Sequence, residues 1–186
     1  EEFNGIAWSE TNDMNVGKRV LNAAGTQNAG IVYGGSTGSA NTTATPSTET
    51  YDGTSYTVVG SMTLARSCST GGIGNSENAM VIGGNAPACS NQRTDCVEIF
   101  DGTSWSAGVE TVSSTRQHHA IWGKSVNDAS NVGGYQLPAS PSFFPSIETF
   151  DGTTWTIGAQ MITGRYTAIA TGTTKAAIVN GGTVPG

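Results

Sequence analysis

Charge is scarce in this chain: Asp, Glu, Lys and Arg together make up 12% of its 186 residues. The eight basic side chains are outnumbered by fourteen acidic ones, so the formal net charge is -6 and the pI is near 4.7. Nothing resembles a basic patch that could neutralise phosphates, which argues against a nucleic-acid partner. Long apolar runs are missing as well, and no stretch reaches the roughly 20 residues that a membrane-spanning helix needs. The opening Glu1-Glu2-Phe3-Asn4 has none of the organisation of a signal peptide. It reads instead as the middle of a repeat, as if a longer parent chain preceded it.

Reactive side chains are equally sparse. Histidine occurs only as the adjacent pair His118-His119, and cysteine occurs three times, at Cys68, Cys89 and Cys96. There is no Gly-x-Ser-x-Gly elbow, no phosphate loop, no dinucleotide fingerprint and no Cys-x-x-Cys or His-x-x-x-His spacing. The expectation is a protein without a catalytic site, a metal or a cofactor.

What the chain does contain is glycine, 26 residues of it, with abundant Ser, Thr and Asn. Short apolar clusters such as Ala29-Gly30-Ile31-Val32-Tyr33 alternate with this punctuation, which argues against disorder and for an all-β protein of tight turns.

The clusters recur with a fixed period. An aromatic residue precedes an Asn/Asp-Gly pair at Phe3, Tyr51, Phe100 and Phe150, with spacings of 48, 49 and 50 residues. Five residues later comes a second aromatic, Trp8, Tyr56, Trp105 or Trp155. A Glu lies two residues before each first aromatic, at Glu1, Glu49, Glu98 and Glu148. An Arg follows the second aromatic by ten or eleven residues in each unit, at Arg19, Arg66, Arg116 and Arg165. Each unit ends in a glycine pair: 34–35, 83–84, 133–134 and 181–182. The units therefore run over about 1–47, 48–96, 97–146 and 147–186.

One unit reads as four strands. Glu49–Tyr51 and Ser55–Val59 form a hairpin around Asp52-Gly53, where glycine accepts the positive φ of a tight turn. After Arg66 comes a weaker strand on which Cys68 is placed. Asn78–Ile82 then gives a continuous apolar run suited to burial on both faces. Four strands in about fifty residues is the arithmetic of a propeller blade.

These markers resemble the kelch repeat, which also builds the central domain of galactose-oxidase-like proteins. The spelling Glu-Thr-Phe-Asp-Gly-Thr-Thr-Trp, followed by a Met and an Arg, is similar to the degenerate kelch-like repeats of bacteriophage tail-fibre and virion-surface proteins. The resemblance covers essentially the whole chain. It implies an all-β fold, a β-propeller of four-stranded kelch-like blades, located on a virion surface or outside the cell.

With the strands of a blade labelled a to d, the chain reads c-d, three times a-b-c-d, then a-b. Two arrangements follow. Either the terminal halves pair and close a four-bladed ring, or the chain is part of a larger ring completed by more chain or by neighbouring subunits. The general range of four to eight blades favours the second.

The repeated Arg and Glu residues are expected to be structural, each Arg meeting a Glu or a carbonyl of its own or the next blade, because buried charges need partners. An Arg ring binding an anion is the alternative. Adjacent strand residues face opposite ways, so His118 and His119 are not expected to share a metal. Cys89 and Cys96 flank a short polar loop and form a candidate disulfide, leaving Cys68 as a buried free thiol.

The segments between strands b and c, Ser36–Thr48, Asn85–Val97 and Tyr135–Ile147, match in length but not in sequence. The third carries Tyr135, Gln136, Phe143 and Phe144, the candidate contact residues for a partner, with packing on their own blade as the competing reading. The expected function is a non-enzymatic structural or adhesive module of a virion surface or tail fibre. Its partners would be other structural subunits, copies of itself or host-surface glycans. A carbohydrate-binding, lectin-like propeller is the alternative. A galactose-oxidase-like enzyme comes third, since the Tyr, His and Cys positions of that copper site have no counterparts here.

Overall fold

The computed structural model describes residues 1–39, 43–68, 71–88, 94–111, 115–136 and 142–184, with the backbone alone at Gln136 and Ser142. The described residues are all-β, and none of them forms a helix long and apolar enough to cross a membrane.

Among the described residues, seventeen strands pair in antiparallel fashion. The first pair is β1 (Glu2–Phe3) and β2 (Trp8–Ser9). A four-stranded sheet follows, made of β3 (Asn22–Thr26), β4 (Ala29–Tyr33), β5 (Thr48–Tyr51) and β6 (Tyr56–Val59). The next contains β7 (Ile73–Gly74), β8 (Ala79–Ile82), β9 (Val97–Phe100) and β10 (Trp105–Ala107). The third contains β11 (Gln117–Ser125), β12 (Asp128–Gln136), β14 (Ser146–Phe150) and β15 (Trp155–Gln160), with β13 (Ser142–Phe143) paired to β12. The last pair is β16 (Ile169–Thr173) and β17 (Ala176–Asn180).

The strand order within each whole sheet follows the sequence. The c–d hairpins close alike. Asp52 Oδ1 accepts from the amides of Thr54 and Ser55, Asp101 Oδ1 from Thr103 and Ser104, and Asp151 Oδ1 from Thr153 and Thr154. Asn4 does the same for Ile6 and Ala7. These amides hold the three Asp carboxyls below the usual range. The glycine that follows each of these residues has φ of 93° or 94°.

The first strands of successive sheets lie side by side, β3 by β7, β7 by β11 and β11 by β16. The core fills the gaps between sheets. Ile31, Tyr33 and Met62 of the first sheet region pack against Ala79, Val81, Phe100 and Trp105 of the second. On the other face of β8, Met80 and Ile82 meet Ile121, Ala129, Phe150 and Trp155. The alternation of one strand therefore feeds two cores, which explains why β8 is apolar throughout.

Hydrogen bonds also join successive sheets. The amides of Gly35, Gly84 and Gly134 donate to the carbonyls of Arg66, Arg116 and Arg165 at 2.9, 3.1 and 2.9 Å. A second line runs Cys68 N to Val20 O, His118 N to Cys68 O and Thr167 N to His118 O. Those four residues are the only non-glycine positions with positive φ among the described residues. Cys68 is thus not on a strand as expected. It sits before β7 in the left-handed region, because that geometry turns its amide toward the preceding sheet.

Among the described residues, β1–β2 and β16–β17 remain separate two-stranded sheets, so hydrogen bonds between them do not close a four-bladed ring.

Candidate contact surface

The repeated charges of the second and third sheets lie inside them, whereas Glu1 and Arg19 are exposed. Arg66 Nη2 meets Glu98 Oε1 at 2.5 Å and Arg116 Nη2 meets Glu148 Oε1 at 2.7 Å, with all four side chains almost completely buried. Arg66 Nη1 also donates to the carbonyls of Gly83 and Cys96, and Arg116 Nη1 to that of Gly133. Glu98 in turn accepts from the amides of Thr63 and Leu64. Each pair therefore ties the segment before strand a to strand c of the same sheet. Burial pushes the Arg116 guanidinium down, and Glu148 opposes that shift.

The first unit departs from the expected register. Lys18, not Arg19, occupies the position of Arg66: its Nζ lies 3.7 Å from Glu49 Oε1 and donates to the Ser47 carbonyl. Burial lowers the Lys18 ammonium, and Glu49 partly restores it. Arg19 is exposed and donates to the Gly38 and Ser39 carbonyls. It pairs with Ser36 as Ser67 pairs with Asn85. Arg165 keeps the repeat's contact to the Gly181 carbonyl at 3.0 Å.

The second aromatics of the hairpins differ in environment. Trp105 and Trp155 are buried, with indole N–H groups donating to Thr48 Oγ1 and the Val109 carbonyl. Tyr56 is half-buried against Tyr51, whereas Trp8 is 67% exposed beside Phe3.

The repeat is broken most clearly at the junction of the third and fourth units. The residue after the repeat's basic side chain is Arg19, Ser67, Gln117 or Tyr166, and the residue after the glycine pair is Ser36, Asn85, Tyr135 or Thr183. Only the third and fourth units place tyrosines there. The Tyr135 ring is stacked on His118 at 5.6 Å and meets Tyr166 edge-on at 5.0 Å. Phe143 stacks on Tyr166 at 5.2 Å. All four rings are half-buried, so each keeps part of its surface in solvent.

Strand pairing builds this cluster. β12 runs on past its glycine pair and β13 folds back on it, setting Phe143 opposite Tyr135. The Tyr135 hydroxyl accepts from Gln117 Nε2 at 2.5 Å, and Gln117 Oε1 accepts from Asn85 Nδ2 at 3.1 Å. A buried amide network thus fixes the ring from below. Phe144 is turned the other way, its ring 4.8 Å from the Arg116 guanidinium carbon. Of the four candidate contact residues, the structure brings Tyr135 and Phe143 together and directs Phe144 to Arg116. The Gln136 side chain lies outside the described residues.

His118 and Tyr166 were not among the sequence candidates. Their only signal is register: each lies one or two residues after a repeat Arg, where the second and third sheets hydrogen-bond to the next. His119, by contrast, is fully buried, and desolvation together with the Arg116 charge pushes its pKa down to about 3. The two histidines face apart. Among the described residues, no group of three His, Cys, Asp or Glu side chains is placed to hold a metal ion.

Cys68 is a buried free thiol and Cys96 a half-buried one, its Sγ 3.9 Å from Glu110 Oε1. Cys89, the expected partner of Cys96, lies outside the described residues. The chain matches no family model and no curated protein.

Proposed function

We propose that the chain is a non-enzymatic, kelch-like β-propeller module that serves as a structural or adhesive element of a virion surface or tail fibre. The observation that carries the contact role is the His118, Tyr135, Phe143 and Tyr166 cluster. It is half-buried, it departs from the other units at the junction of the third and fourth, and it stands on a hydrogen-bonded base. Partly exposed rings held in a fixed orientation by their neighbours lose little entropy on binding. The sheets supply the platform: three whole sheets in series, joined by cores and by backbone bonds between neighbours, hold that surface still. The virion setting rests on the spelling of the repeat.

Carbohydrate recognition is the second reading, favoured by one observation. Partly exposed stacked rings beside the Tyr135 hydroxyl suit a sugar, whose C–H face packs on an aromatic while its hydroxyls take hydrogen bonds.

The test compares the 186-residue chain with Tyr135→Ala/Tyr166→Ala on an array of mono- and oligosaccharides and on purified host-surface preparations. Attachment that disappears in the double variant, with far-ultraviolet circular dichroism unchanged, supports the contact role. Saccharide hits select the carbohydrate reading, and attachment without them selects the protein-contact reading. Equal attachment by both proteins removes the cluster from the account.

A further inference from the structure

Four hairpin turns share one geometry, and one of them carries a different electrophile. In three of the turns the Oδ1 of Asp52, Asp101 or Asp151 accepts the backbone amides two and three residues on. Between β1 and β2 the same seat is filled by Asn4, whose Oδ1 accepts from Ile6 N at 3.0 Å and Ala7 N at 2.9 Å. All four side chains are exposed, so water reaches the turn in every unit. Each is followed by a glycine, which puts no side chain beside its own amide nitrogen.

The chemistry differs because of the group on Cγ. Attack on Cγ by the next residue's amide nitrogen closes a five-membered ring. It needs a leaving group and a place for the negative charge that forms on Oδ1. The amides of Ile6 and Ala7 already donate to that oxygen, as the donors of an oxyanion hole do. The three Asp residues receive the same two bonds, but these hold their carboxyls below the usual range. At neutral pH they are carboxylates, which repel a nucleophile. Asn4 is neutral there and has ammonia to lose.

We propose that Asn4-Gly5 is a self-modifying site, at which the turn promotes deamidation of its own asparagine and acquires the acidic residue of the other three units. The Gly5 amide gives its proton to a solvent base and its nitrogen bonds to Asn4 Cγ. The Cγ–Nδ2 bond then breaks, and ammonia leaves with a proton from solvent. Water opens the resulting succinimide, at Cγ to give aspartate or at the main-chain carbonyl carbon to give isoaspartate. No electrons are transferred, and water is the only co-reactant. The aspartate form keeps its Oδ1 on the same two amides, as Asp52 does. The isoaspartate form routes the main chain through the β carbon, which lengthens the turn and disturbs the pairing of Phe3 with Trp8.

A second Asn-Gly step, Asn180-Gly181, provides an internal comparison. Asn180 is exposed as well, but it ends β17 and pairs with Ile169, so its extended backbone must leave the strand before the ring closes.

The experiment incubates the 186-residue chain, folded and in urea, at mildly acidic and mildly alkaline pH, and follows both asparagines by peptide mass mapping. In the folded chain Asn4 is expected to convert at least as fast as in urea and at least about tenfold faster than Asn180. Urea is expected to bring the two rates together. The rate at Asn4 is expected to rise with pH, because the attacking nitrogen must shed a proton. Hydroxylamine, which traps a succinimide, is expected to cut the folded chain before Gly5. Asn4→Gln enlarges the ring and Gly5→Ala crowds the nitrogen, so both are expected to remove the conversion on that timescale. Folding that protects Asn4, so that it converts more slowly than in urea, overturns the proposal. Conversion of Asn180 at an equal or greater rate in the folded chain overturns it as well.

Discussion

Lys18 Nζ lies 3.7 Å from Glu49 Oε1, in the position where the next two sheets place Arg66 and Arg116. The repeat therefore conserves a charge and a geometry, a cation tied to strand c, and not an arginine as such. Lysine reaches the carboxylate as a point charge while Asn15 and Val16 donate their amides to the same group.

Substitution at adjacent positions should separate the two readings of this unit. Lys18→Ala leaves Glu49 buried without its cation and is expected to cost about 3 kcal/mol. Arg19→Ala removes exposed bonds to loop carbonyls and is expected to cost about 1 kcal/mol or less. Urea unfolding of the two variants gives the comparison, and equal losses would return Arg19 to the structural role.

The glycine pairs provide a second comparison. Gly133 and Gly181 both have positive φ, 72° and 64°, so alanine carries the left-handed cost of about 1–2 kcal/mol at either site. A Cβ at Gly133 would lie 2.4 Å from the Arg165 carbonyl oxygen, whereas at Gly181 it would meet nothing within 4 Å. Gly133→Ala is expected to lose a further 1–3 kcal/mol or so by forcing neighbouring sheets apart. Thermal unfolding of both variants measures the difference.

His119 sets an acid limit. Its folded pKa of about 3 lies below the ordinary value of 6.5, so the unfolded chain binds the extra proton between those values. Stability from this group is complete above about pH 6.5 and falls as the pH drops toward 3, by roughly 1.4 kcal/mol per unit. His119→Gln should flatten the stability profile between pH 6.5 and 5, where carboxylates have barely begun to protonate. An unchanged slope in that window would mean that His119 is charged in the folded protein.

Val20 is a β-branched residue at φ 47°, an unfavourable region for its side chain, and it is 41% exposed. Its backbone carbonyl, which accepts from Cys68, is what the structure uses. Val20→Asn should keep that bond and gain about 1 kcal/mol, raising the melting temperature by roughly 2–4 °C.

The strands, the hairpin turns and the double-sided burial of β8 were legible because each follows from a local pattern: alternation, an Asp-Gly pair, a continuous apolar run. The interior role of Glu98 and Arg66 was legible because a charge repeated in every unit must be paired. The register of Lys18 was not, since two adjacent basic residues look alike until strand pairing assigns one to the sheet and the other to the rim. Cys68 escaped for a related reason. Nothing in its neighbours announces a left-handed residue, which arises from a hydrogen bond to the sheet before it. The aromatic cluster was half visible. Tyr135 and Phe143 lie close in sequence, whereas Tyr166 and His118 join them through contacts between units.

High-resolution imaging of the assembled protein, by single-particle microscopy or crystallography, bears most directly on the propeller that underlies the proposed function. The account predicts β3, β7, β11 and β16 arranged around one axis, with Tyr135, Phe143 and Tyr166 open to a partner on one face. Sheets stacked in a straight line, or that cluster sealed inside the subunit, would contradict it.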